Sequence, residues 1–255
     1  VAPRQTGNGS VTISDWTQTG RYAAGLDTPA TGSEFRRADC APRASLGDGR
    51  LTIGDWTQAG RYAAGLDPIA AASGPVAPSG QLAASGEQRG SNAPRTTGEG
   101  ARTIRLDRAS ADLLIVECDA RGDENAFGFS LKFDPALWRF VSASVGRDAN
   151  GSSLYVNSTQ AARGRVGFAL ALEAGASLPA GARQIAIARF QSLSGRGAGA
   201  IEFGDLPVRR EAVDARANSL PVTFPRQRER RNEIGSPHRP KNFRRRHPFS
   251  TRFTH

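Results

Sequence analysis

The sequence predicts a mainly β protein in which a β-sandwich is preceded by a small α-helical repeat unit. Three features predict it: residues 7–27 recur at 47–67, a stretch poor in large apolar side chains follows, and from Thr103 short apolar runs alternate with turn residues. With 255 residues, 38% apolar and 7% aromatic, the chain supports one core of about 100–150 residues better than one packed body of full length. Its 29 Gly and 15 Pro favour turns and extended structure over long helices. No apolar run approaches the roughly 18–20 residues of a membrane span. A chain without Met reads as a piece of a longer product.

The two copies, GNGSVTISDWTQTGRYAAGLD and GDGRLTIGDWTQAGRYAAGLD, agree at 16 of 21 positions at an offset of 40, which marks a tandem repeat. Each opens on a turn (Asn8-Gly9, Asp48-Gly49), runs through a short extended piece, and enters a helix from about Asp15 or Asp55. Gly25 and Gly65, free to adopt the left-handed conformation, close the helices. Trp16, Gly20 and Ala23-Ala24, like Trp56, Gly60 and Ala63-Ala64, fall on one helical face. A large ring beside glycine lets a second helix come close, so the copies should pack about a pseudo-twofold axis with Trp16 and Trp56 in the seam.

The loop before each helix invites comparison with an EF-hand calcium loop, whose oxygen ligands sit at positions 1, 3, 5, 7, 9 and 12 with Gly at 6. With Asp15 at position 12, Asn8, Gly9, the Ser10 carbonyl and Thr12 fall at 5, 6, 7 and 9; the second copy supplies Asp48, Gly49, the Arg50 carbonyl, Thr52 and Asp55. Positions 1 and 3 carry no carboxylate: they are Arg4 and Thr6, then Ala44 and Leu46, with Asp39 available to re-route the second loop. The competing account needs no ion. Asp15 or Asp55 would be the helix N-cap, with Gln18 or Gln58 three residues on, an arrangement worth about 1 kcal/mol.

These repeats resemble dockerin modules, in which a duplicated calcium loop leads into a helix bearing an Arg-Tyr or Lys-Tyr pair, here Arg21-Tyr22 and Arg61-Tyr62. The resemblance spans residues 4–67. It implies calcium as cofactor and places Arg21, Tyr22, Arg61 and Tyr62 at a partner surface; the alternative for the arginines is solvated charge at a helix end.

Residues 68–102 include 24 Ala, Gly, Ser, Pro or Thr among 35 and no aromatic residue, a composition expected of a flexible linker. Strands are expected at 103–107, 113–119, 125–133, 138–145, 153–157, 164–172, 183–192, 198–203, 208–214 and 219–224. Ten such runs suggest a β-sandwich. Phe127, Phe129, Leu131 and Phe133 should face its core, while Ala126, Gly128 and Ser130 form a flat outer face, either solvated or a docking surface.

The run ENAFGFSLKFDPALWRFVSASVG (124–146), with its Phe133-Asp134-Pro135 turn, followed by GRVGFALAL, QIAIARFQ, IEFGD and SLPVTF, looks like a cohesin module over residues 103–224. That resemblance implies a jelly-roll sandwich, an extracellular or cell-surface setting, and a partner carrying a complementary cohesin or dockerin module, in polysaccharide degradation or surface assembly. One chain would then carry both halves of a plug-and-socket pair, with the β-domain of one molecule receiving the helical module of another.

Three rival functions are weaker. A carbohydrate-binding module needs exposed coplanar aromatics, and Trp138 and Tyr155 are the only candidates in the β-domain. A glycosidase needs two carboxylates across a cleft, whereas Asp119, Asp123 and Glu124 cluster about a hairpin turn. The net charge of +10 suggests nucleic acid until it is located: residues 226–255 carry ten Arg or Lys against two Glu, a basic tail expected to be disordered that includes Arg244-Arg245-Arg246. All three His also lie there, which removes imidazole chemistry from the rest of the chain, and Cys40 and Cys118 form no metal knuckle. The reading is therefore a non-catalytic assembly protein with a repeat unit at 1–67, a linker at 68–102, a sandwich at 103–224 and a tail at 225–255.

Overall fold

A computed structural model describes residues 1–4, 6–79, 100–193 and 199–225. The expected linker's centre (80–99) and nearly all of the basic tail (226–255) lie outside the described residues.

The repeat unit folds into α1 (Ile13–Ala23), α2 (Ser33–Ala38) and α3 (Ile53–Ala63). The helices begin two residues earlier than expected, and Asp15 and Asp55 are not the N-caps. Thr12 and Thr52 hold that place, with Asp15 and Asp55 at the third helical position; each carboxylate accepts the threonine's backbone N–H, at 2.9 and 2.8 Å. This is a capping box. Both helices end in the same Schellman motif: Gly25 (φ 65°) and Gly65 (φ 69°) are left-handed, and Leu26 and Leu66 donate to the carbonyls of Arg21 and Arg61 at 2.9 Å. Helix α2 was not foreseen; its Phe35 and Ala38 are buried in the unit.

The indoles of Trp16 and Trp56 stack with centroids 5.7 Å apart, as the repeat predicted. Each ring lies over the glycine of the other helix: a Cβ on Gly20 would come within 2.5 Å of Trp56, and one on Gly60 within 2.8 Å of Trp16. The absence of side chains at these two positions sets the distance between α1 and α3.

From Arg102 the chain forms a mainly β jelly-roll sandwich. Its strands are β1 (Arg102–Arg108), β2 (Leu113–Ala120), β3 (Glu124–Lys132), β4 (Trp138–Val145), β5 (Ser153–Asn157), β6 (Arg165–Ala171), β7 (Gly181–Ser192), β8 (Glu202–Gly204), β9 (Glu211–Asp214) and β10 (Val222–Thr223). One sheet runs β10-β1-β2-β7-β4; the other runs β5-β6-β3-β8, with β9 also paired to β3. Phe127, Phe129 and Leu131 turn inward and meet Phe168 and Leu170 of β6, with Phe129 and Phe168 stacked at 5.0 Å. Each such side chain, fully buried, contributes on the order of 2 kcal/mol.

Several features considered for function are structural. Trp138 belongs to the core. Asp119 pairs with Arg105 at 2.5 Å, and Asp123 and Glu124 both pair with Arg102, so these carboxylates neutralise buried or half-buried arginines. Cys40 and Cys118 are free thiols in different units. Among the described residues no helix is long and apolar enough to cross a membrane.

Candidate functional site

Because side chains alternate along a strand, the residues that β3, β5 and β6 withhold from the core lie together on the opposite side of the sheet. They are Ala126, Gly128 and Ser130, Gly167, Ala169 and Ala171, and the larger Tyr155 and Asn157. The result is a platform of alanine and glycine with one phenol ring and one amide at its β5 edge.

That face is not solvated. The segment between β8 and β9 crosses part of it: Ser130 Oγ donates to the Val208 carbonyl (2.6 Å) and accepts from Val208 N–H (2.9 Å). The helix pair of the same chain covers the rest. Ile53, Trp56 and Ala24 pack with Ala126, Ala169, Ala171 and Val213 in one buried cluster, flanked by Trp16, Leu26 and Tyr155. The Tyr155 ring lies 5.1 Å from Trp56, so neither aromatic once considered for sugar stacking is an open platform.

Hydrogen bonds surround this apolar centre. The Asn157 amide donates to the Ala24 and Gly25 carbonyls at 2.9 and 3.0 Å, satisfying the C-terminal end of α1. Thr57 Oγ1 donates to Asn125 Oδ1 at 3.2 Å. The Ile53 N–H, at the start of α3, donates to Glu211 Oε1 at 3.1 Å. Burial pushes the Glu211 carboxyl up to about 7.

The four residues assigned to a partner surface divide unequally. Arg61 grips Asp67 through two nitrogens (2.7 and 2.8 Å) and donates to the Ala215 carbonyl of the sandwich at 2.5 Å. Arg21 makes the same fork with Asp27, and its donation and that of Gln18 hold the Asp27 carboxyl at about 2. Tyr22 and Tyr62 are interior: Tyr22 donates to Glu34 at 2.5 Å.

The candidate calcium ligands do not fit an ion. Asn8 Oδ1 accepts the Ser10 N–H and Asp48 Oδ1 the Arg50 N–H, each in a local turn. Asp55 Oδ1 accepts Cys40 N–H and Ala41 N–H at 2.7 and 2.8 Å, while Oδ2 accepts Thr52 N–H and Oγ1. Asp15 repeats this with the Val1 nitrogen, Ala2 N–H, and Thr12. All four lone pairs of each carboxylate meet donors, so a cation would have to displace them. Asp39, the residue suggested for re-routing, binds Asp48 N–H and Gly49 N–H instead. Burial raises the Asp55 carboxyl well above its usual range despite these donors.

Sequence comparison at a fixed offset missed part of this arrangement. Val1-Ala2-Pro3-Arg4 is equivalent to Cys40-Ala41-Pro42-Arg43 at an offset of 39, and Leu46 (φ 58°) is the extra residue. The segments that close both carboxylates are therefore also duplicated.

The architecture is a two-sheet sandwich with one sheet serving as a platform for a duplicated helix pair. No protein-family profile matches the chain, and no curated protein matches it. Among solved structures, it is similar to a non-cellulosomal cohesin from the hyperthermophilic archaeon Archaeoglobus fulgidus, with 13% identity, coverage of 48% of this chain and 85% of that one, and a TM-score of 0.39. It is also similar to the sixth cohesin of scaffoldin B from Acetivibrio cellulolyticus, solved with a mutant Cel5 dockerin: 14% identity, 49% and 95% coverage, TM-score 0.40. For the second type II cohesin of the ScaA scaffoldin from that organism the values are 12%, 49%, 94% and 0.38.

Proposed function

We propose that this protein is a non-catalytic recognition module of the cohesin–dockerin type, whose sandwich binds a duplicated loop-helix module through its small-residue face. The observation that carries the reading is the seating of Trp56 and Ile53 on Ala126, Ala169 and Ala171, ringed by a hydrogen bond that Asn157 donates and by those that Asn125 and Glu211 accept. An apolar centre with a polar rim is the anatomy of a specific protein interface. The setting implied by the resemblance is outside the cell, in an assembly whose partners carry complementary modules. A sugar-binding reading loses its support, because Trp138 and Tyr155 are both engaged.

The test is to insert a protease site between residues 80 and 99, cleave the folded chain, and follow the pieces by size-exclusion chromatography. Co-elution of helical unit and sandwich is expected; separation under native conditions would reject the recognition reading.

A further inference from the structure

The platform that would greet a partner is already filled by residues of the same chain. Ile53, Trp56 and Ala24 on the helical side and Ala126, Ala169, Ala171 and Val213 on the sandwich are at most 2% exposed. From this we infer that the helical unit is an internal plug, closing the recognition face in cis, and that the vacated face takes the helical unit of a second copy of this chain in the same geometry. The inference rests on the recognition reading above.

Two further observations support it. The units meet as separate bodies: residues after α3 stay with the helical unit, where the Val76 carbonyl accepts Gly32 N–H at 2.6 Å and Ser79 N–H donates to Gly49 at 3.0 Å, while the sandwich starts at Arg102. Only the connection through 80–99 thus assigns one particular plug to one particular socket. The helical unit also has an interior of its own, built from Tyr22, Phe35, Ala38 and Ala59, so it does not depend on the sandwich for all of its burial.

A covalently attached plug competes at an effective concentration on the order of millimolar for a short connection. Wild-type chains at micromolar concentration are therefore expected to be closed monomers. Opening requires damage to one side of the seam only, which permits a complementation test with full-length chains.

In Ile53→Asp the plug is spoiled and the socket intact; in Ala169→Arg the socket is spoiled and the plug intact. Position 53 tolerates the change locally, because its repeat equivalent Ile13 stands in solvent. Each variant alone should elute with the mass of one chain, and an equimolar mixture should shift to the mass of two. Thr57→Arg and Ala126→Arg form a second pair should either first variant lose its far-UV circular dichroism. A mixture of folded variants that stays at one-chain mass overturns the inference, as does wild type eluting as two chains. If cleaved wild-type pieces stay together while the mixed variants do not pair, the recognition reading stands and only the exchange fails.

Discussion

Ile13 and Ile53 are the same residue of the repeat, each the first of a capped eleven-residue helix, yet Ile13 is 64% exposed and Ile53 is fully buried. The difference lies outside the repeat: the sandwich covers one copy of the position and leaves the other open. Leu26 and Leu66 divide in the same way, Leu26 packing at the seam and Leu66 half exposed.

This asymmetry sets the first expectation. Ile53→Asp should lower the stability of the docked chain by about 2–4 kcal/mol, since it places a carboxylate in an apolar seam, whereas Ile13→Asp should change it by no more than about 0.5 kcal/mol. Urea titrations of both variants check this; equal losses would contradict the docked arrangement.

Gly20 lies between two rings, and its absent Cβ would meet Trp56 at 2.5 Å and Tyr155 at 2.6 Å. Gly20→Ala should therefore cost about 1–3 kcal/mol through overpacking. Gly60→Ala should cost less, because the Trp16 ring it meets is half-buried and can shift. Thermal melts followed by tryptophan fluorescence rank the two, and a larger loss for Gly60→Ala would be the wrong order.

Glu211 links docking to pH. Burial raises its carboxyl to about 7 from an unperturbed 4.5, with Asp48 adding to the rise and the Ile53 N–H and Arg50 opposing it; Arg209 and Arg210 flank the same recess. The docked chain holds this proton more tightly than the undocked one, so the contribution is fully present below 4.5 and is lost as pH rises through about 7. Glu211→Gln should remove that slope while leaving the contributions of Asp39 and Asp55 in place. Melting temperatures of wild type and variant are expected to be closest at pH 5, with the variant higher at pH 8; parallel curves would show that Glu211 does not titrate in this window.

The loops give a calcium experiment with a definite sign. Because Asp15 and Asp55 are saturated by N–H and O–H donors, millimolar calcium should leave the melting temperature of the chain unchanged, and a chelator should do the same. Asp55→Ala, by contrast, strands the buried amides of Cys40, Ala41 and Thr52 and should cost at least about 2 kcal/mol. A calcium-dependent rise in melting temperature would restore the metal account.

Much of the architecture was legible from local pattern. Strands β4 and β5 begin and end where the sequence places them, because Trp138 and Ser153 each follow a turn. The Trp16–Trp56 seam was legible because ring and glycine recur on one helical face. The helix starts were misplaced because an aspartate at the third position of a capping box resembles an N-cap when only the residue type is seen. Helix α2 is six residues long and held by tertiary contacts of Glu34 and Phe35, which leave no periodic trace. The covering of Ala126, Ala169 and Ala171 was illegible for a plainer reason: small side chains permit a close neighbour without specifying one.

The closure of Asp55 by the amides of Cys40 and Ala41 has a consequence for where such a unit can operate. A fastening made of peptide groups is synthesised together with the polypeptide, needs no mineral supply to set, and cannot be rinsed out. Wherever the chain is folded, the two donors that hold Asp55 arrive with it.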